Sequence, residues 1–150
     1  PGRFKERVEF LKYVNTSATP SLPQMAVAEF VQNGGYDHHL RKIRRRYAEQ
    51  MRLMTEAVGR YFPEGTKVTR PNGGMCLWLE LPAAVEGITV YRQALAQRIS
   101  IAPGPLFSAK QAYRNFIRLN CGNPWSSEIE DAVRRLGNLA KTGYSLRAAR

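Results

Sequence analysis

Arg118 stands near the C-terminal end of the chain, in the stretch Asn115-Phe116-Ile117-Arg118-Leu119-Asn120-Cys121-Gly122. On a strand, alternation puts Ile117, Leu119 and Cys121 on one face and Phe116, Arg118 and Asn120 on the other. The first face reads as core. The second offers a guanidinium flanked by an aromatic ring and an amide. That group suits a planar anion such as a carboxylate, because its fork meets two oxygens at once. Asn120 is the candidate second contact, helping to fix the guanidinium. The alternative is an arginine in a surface ion pair, a common arrangement that contributes little.

Other chemistry-bearing residues are less promising. His38 and His39 are adjacent, so on a helix they point about 100° apart and cannot share a metal as an i, i+4 pair does. No cysteine or third ligand lies nearby in the sequence, and no metal site is expected. Ser126 and Ser127 read as helix caps rather than nucleophiles. Cys76 and Cys121 have no metal-type spacing and fall on expected strands. They read as small, buried, reduced residues of a cytoplasmic protein. No apolar run approaches the ~18 residues needed to span a bilayer.

The elements that must position Arg118 follow from periodicity. Phe4, Val8 and Leu11 predict a helix over 3–13, and Asn15 to Pro20 a loop. Pro23 fits a first helical turn, and Met25 to Val31 continue a helix that is apolar on most sides and must be covered all round. Gly34-Gly35 stops it. Leu40, Ile43, Tyr47, Met51, Met54, Val58 and Tyr61 then form one stripe on a long helix over 37–61. Strands are expected at 66–70 and 75–81 around a Pro-Asn-Gly-Gly turn, with Met75, Leu77, Leu79 and Leu81 on one face. A helix over 89–98, a short strand at 100–102 and a Pro-Gly-Pro turn lead to the Arg118 strand. Ser127 to Glu130 fits a capping box, and Ile129, Val133, Leu136 and Ala140 mark a terminal helix. The layout is α+β: a helical N-terminal segment leading into a small, mostly antiparallel sheet backed by helices.

The net charge of +11 over 150 residues invites a nucleic-acid reading. The densest cluster, Arg41, Lys42, Arg44, Arg45 and Arg46, centres opposite the apolar stripe. Acids at helical spacing (Asp37 with Arg41, Arg45 with Glu49, Arg52 with Glu56) favour a solvated helix face instead. No helix-turn-helix, zinc knuckle or aromatic-basic RNA motif accompanies it. A basic nucleic-acid-binding interaction domain remains the alternative from another class.

Three motifs occur in order. These are Pro71-Asn72-Gly73-Gly74-Met75-Cys76-Leu77-Trp78-Leu79-Glu80-Leu81-Pro82, then Ile99-Ser100-Ile101-Ala102-Pro103-Gly104-Pro105-Leu106-Phe107, then the arginine strand. Together they resemble the C-terminal part of fold-type-I, pyridoxal-phosphate-dependent aminotransferases. The stretch Phe10-Leu11-Lys12-Tyr13-Val14-Asn15-Thr16-Ser17-Ala18-Thr19-Pro20-Ser21-Leu22-Pro23-Gln24 is most similar to the aminotransferase-like domain of MocR-type regulators of the GntR superfamily. The resemblance covers nearly the whole chain.

It implies that Arg118 grips a substrate or effector α-carboxylate. It also implies that residues 1–47 are a remnant of the large domain and the start of a connecting helix, and that residues 48–150 are the small domain. The family's Schiff-base lysine lies in a Ser-x-x-Lys segment upstream of this region, so none is expected here. Phe107-Ser108-Ala109-Lys110 resembles that segment only superficially, and Lys110 is expected to face solvent. Loops matching Thr16 to Thr19 approach a neighbouring subunit's cofactor phosphate in the family, which makes Ser17 and Thr19 weak cofactor contacts. Both are equally explained as loop and capping residues.

The chain begins at Pro1 and reads as a piece of a longer protein. The intact protein is expected to bind DNA through an N-terminal winged helix, to bind pyridoxal 5'-phosphate and a small amino compound, and to form a homodimer in the cytoplasm. No cofactor is expected to be held stably by this piece alone, and no membrane partner is expected. The alternative within the same fold is a true aminotransferase.

Overall fold

The computed structural model describes residues 2–148, and the chain divides into two compact units, the first running to Lys42 and the second beginning at Ile43. In the first unit, a 3-10 turn at Gly2–Phe4 leads into helix α1 (Lys5–Thr16). This helix runs one turn further than the sequence predicts. Asn15 Nδ2 donates to the Leu11 carbonyl at 2.7 Å, so the polar residues expected in a loop stay helical. The helix ends at Ser17, whose φ of +56° turns the chain and whose N–H reaches the Lys12 and Tyr13 carbonyls.

Helix α2 (Ser21–Gln32) follows Pro20 and holds Pro23 in its first turn, where no N–H is needed. Its Leu22, Met25 and Val27 are all exposed in this chain, so the cover that its all-round apolar surface calls for is not supplied by the described residues. Gly34, with φ +70°, ends the turn that separates α2 from α3 (Gly35–Tyr61), a helix of 27 residues.

The second unit is built on the inner stripe of α3, where Met54, Ala57 and Val58 are buried. Strand β1 (Lys67–Val68) and β2 (Cys76–Glu80) form the expected hairpin, pairing Lys67 with Glu80 and Val68 with Leu79. Helix α4 (Gly87–Ala96) and the two-residue strand β3 (Ala102–Pro103) come next. The Pro-Gly-Pro segment is wound into a 3-10 turn, Gly104–Phe107. Strand β4 (Phe116–Asn120) then enters between β2 and β3, giving a fully antiparallel sheet of order β1-β2-β4-β3.

Alternation sorts the faces as the sequence requires. Leu77, Leu79, Leu81, Ile117, Leu119 and Cys121 are buried, in one core with Met54 and Val58 of α3, Val90 and Ala94 of α4, and Val133, Leu136 and Ala140 of the last helix. Met75 departs from the pattern. It precedes the strand, next to Gly74 at φ +88°, and is 41% exposed, contributing its carbonyl to the Cys121 N–H instead.

That last helix, α5 (Ser127–Ala148), is capped one residue earlier than predicted. Ser126 Oγ accepts from the Ile129 N–H, while Glu130 accepts from Arg60 and from the Tyr61 hydroxyl, each at 2.9 Å. A charged donor and a phenol outcompete a backbone N–H for this carboxylate, so the capping box does not form. Among the described residues no helix is long and apolar enough to cross a membrane.

Candidate functional site

The sheet face opposite the core is organised around Arg118. In register, Arg118 lies across from Trp78 of β2 on one side and Ala102 of β3 on the other. Its guanidinium carbon sits 4.6 Å from the centroid of the Phe107 ring. Phe107 meets Trp78 edge-on at 5.3 Å. Trp78 in turn stacks on Phe116 at 5.4 Å and meets Tyr113 edge-on at 5.7 Å. The guanidinium is thus backed by connected aromatic rings in geometries that aromatic quadrupoles favour.

A glycine allows this cluster to close. A Cβ on Gly104 would overlap the Tyr113 carbonyl and press on the Phe116 Cβ at 2.9 Å. Tyr113 itself has φ +59°, and its carbonyl accepts from the Phe116 N–H at 3.0 Å. Gly104→Ala is therefore expected to lower stability by about 1–3 kcal/mol and to loosen the segment from Phe107 to Tyr113. Denaturant midpoints together with near-ultraviolet circular dichroism would show both effects.

The ion-pair reading of Arg118 finds no support in the contacts. Some exposed arginines hold carboxylates: Arg52 takes Glu49 and Glu56, Arg60 takes Glu130, and Arg114 takes Glu86 at 3.3 Å, whereas the exposed Arg41, Arg44, Arg45 and Arg46 show no ion pair among the described residues. Among the described residues Arg118 has no such partner, and its recorded contact is the Phe107 ring. A planar cation with uncommitted N–H donors beside an aromatic wall is suited to a carboxylate.

Known proteins share this architecture. The model of the family described as aminotransferase class I and II matches residues 7–136. The chain belongs to this family. An HTH-type transcriptional regulator of Escherichia coli, YjiR, is 39% identical over 91% of the chain, and the chain spans 29% of that regulator. The 2-aminoadipate transaminase of Thermus thermophilus is 36% identical over 82% of the chain, which spans 31% of the enzyme. The crystal structure of LysN, an alpha-aminoadipate aminotransferase of the same bacterium, complexed with N-(5'-phosphopyridoxyl)-L-leucine, superimposes with a TM-score of 0.81. It is 34% identical, and the match covers 91% of this chain and 35% of that one. The chain thus spans about a third or less of these relatives. Its aminotransferase-like fold is similar both to MocR-type regulators and to true aminotransferases, and the α+β layout with a small antiparallel sheet is that of the aminotransferase C-terminal domain.

Other residues singled out by the sequence fall as follows. Asn120 is exposed on the Arg118 face, but its Oδ1 accepts from the Gly122 N–H at 2.7 Å. It closes the turn after β4, and among the described residues no hydrogen bond joins it to Arg118. Lys110 is exposed in the turn after Phe107, its backbone N–H donating to Ser108 Oγ. Ser17 ends α1, and Thr19 Oγ1 accepts from Lys12 Nζ at 3.2 Å, both as exposed residues of the first unit.

Burial pushes the Cys121 thiol up to about 11, with nearby Cys76 adding to the shift, so it stays protonated and unreactive at neutral pH. No group of three or more His, Cys, Asp or Glu side chains able to hold a metal occurs among the described residues. Arg41, Lys42, Arg44, Arg45 and Arg46 are exposed. Of the expected acidic pairings, only that of Arg52 with Glu56 forms among the described residues. Glu49 joins it rather than Arg45, and Arg52 holds the Glu49 carboxyl below its ordinary value, chiefly through their hydrogen bond.

Alternation put Phe116 on the arginine's face, whereas Trp78 joins it only through the register of β2 with β4, which periodicity does not supply. Phe107 and Tyr113, which complete the aromatic cluster, reach it from a turn and a loop. The only sequence signal for them is the Gly104 that lets those two segments touch.

Proposed function

We propose that this chain is the C-terminal, small-domain part of a pyridoxal-phosphate-binding, aminotransferase-like transcriptional regulator of the MocR type. In this reading Arg118 binds the carboxylate of an amino compound. The observation that carries it is the Arg118 guanidinium, held against Phe107 with no acidic partner among the described residues. A bidentate, charge-assisted pair would fix the ligand's carboxylate and so orient its amino group. Pyridoxal phosphate, bound by the remainder of the protein, supplies an electrophilic carbon for that amino group. The similarity to YjiR, an HTH-type transcriptional regulator, supports a DNA-binding region upstream, which in this reading is a winged helix in a homodimeric, cytoplasmic protein. Residues 1–47 would belong to the large domain and connecting helix, and residues 48–150 to the small domain.

The second reading, a true aminotransferase, is favoured by the similarity to the Thermus 2-aminoadipate transaminase. Turnover of amino acids by the intact protein would separate the two. Absorbance titration with pyridoxal phosphate tests the division of labour. The intact protein is expected to develop a saturable, stoichiometric band, and the 150-residue chain is not. A stoichiometric band with the short chain, abolished by Lys110→Ala, would overturn the assignment of the cofactor to the upstream region.

A further inference from the structure

We infer that Phe107 is a positioning residue for Arg118, an inference that rests on the carboxylate-binding role proposed above. A long, exposed arginine side chain samples many rotamers, and a ligand that needs its fork must select one of them. Phe107 restricts that choice. Its ring lies 4.6 Å from the guanidinium carbon and attracts the cation through its π system without occupying an N–H donor. Among the described residues no hydrogen bond or ion pair takes up its N–H donors, which stay available to a carboxylate.

The ring is itself held from two directions. Behind it, Trp78 meets it edge-on at 5.3 Å, and Trp78 is stacked against Phe116. Along the chain, the 3-10 turn Gly104–Phe107 follows directly on β3, whose Ala102 is in register with Arg118 itself. The same strand pairing that places the arginine thus places the turn that carries the phenylalanine. Phe107 contributes little to the core: it is 44% exposed and lies outside the buried cluster. An aromatic ring in that position fits an orienting role better than a stabilising one.

The test measures carboxylate discrimination in the intact, pyridoxal-phosphate-loaded protein. L-Alanine and ethylamine, which share an amino group and differ by the carboxylate, are titrated against the cofactor's absorbance band, with thermal unfolding recorded for every variant. Phe107→Leu keeps apolar bulk and removes the ring. It is expected to weaken L-alanine binding about three- to tenfold while leaving ethylamine binding unchanged. Phe107→Tyr keeps the ring and should stay within about twofold of the parent. Arg118→Ala should remove the discrimination altogether.

If Arg118→Ala leaves discrimination intact, the carboxylate-binding reading itself fails. If Arg118→Ala removes it while Phe107→Leu behaves like the parent, the reading survives and the positioning role is overturned. Equal losses in Phe107→Leu and Phe107→Tyr, or a parallel loss of ethylamine binding, would also overturn it.

Discussion

Leu79→Ala is expected to lower the unfolding free energy of the second unit by about 2–5 kcal/mol. Leu79 has no exposed surface and sits in β2, in register with Val68 on one side and Ile117 on the other. Truncation removes buried methyl groups and leaves a cavity that a sheet braced on both sides can only partly close. Leu106→Ala is the matched control. Leu106 is 72% exposed and should change stability by less than about 0.5 kcal/mol. Urea midpoints for the two variants would check the difference. Equal losses would mean that the sheet face assigned to the core is wrong, and the face assigned to Arg118 with it.

Replacement of Arg118 is expected to act on binding rather than folding. Its side chain is exposed on the far side of the sheet from Ile117, Leu119 and Cys121, so the core does not notice its loss. Losing one charge-assisted contact typically costs on the order of 1.5–3 kcal/mol, roughly a ten- to hundredfold fall in affinity for an amino acid. Arg118→Lys keeps the charge but lacks the two-pronged geometry, so it should recover only part of that affinity. Affinity for pyridoxal phosphate should change little in either variant. Isothermal titration of the intact protein with amino acid, alongside thermal unfolding, separates the outcomes. Unchanged amino-acid affinity with a large fall in stability would make Arg118 a structural residue.

Much of this architecture was legible in the residues because it rests on short-range periodicity. Alternation in 116–121 correctly separated Arg118 from Ile117, Leu119 and Cys121, since one strand residue always faces away from the next. The stripe through Met51, Met54 and Val58 likewise specified the inner side of α3. What periodicity could not supply were choices made by competition between partners. Glu130 could cap its own helix or take Arg60 and Tyr61, and the spacing of Ser127 and Glu130 says nothing about residues far upstream. Asn120 could steady a guanidinium or close its own turn, and the local backbone donor won. Asn15 could start a loop or fold back onto Leu11. The Phe107 contact with Arg118 depends on a turn and a strand register together, and neither is encoded within one window of sequence.

A crystal structure of the intact protein, loaded with pyridoxal phosphate and L-alanine, would place the ligand's carboxylate directly. Both carboxylate oxygens are expected to pair with the Arg118 guanidinium at about 2.7–2.9 Å, with the Phe107 ring still against the cation. A carboxylate held by a different cation, with Arg118 turned to solvent or paired with an acidic side chain, would contradict that assignment.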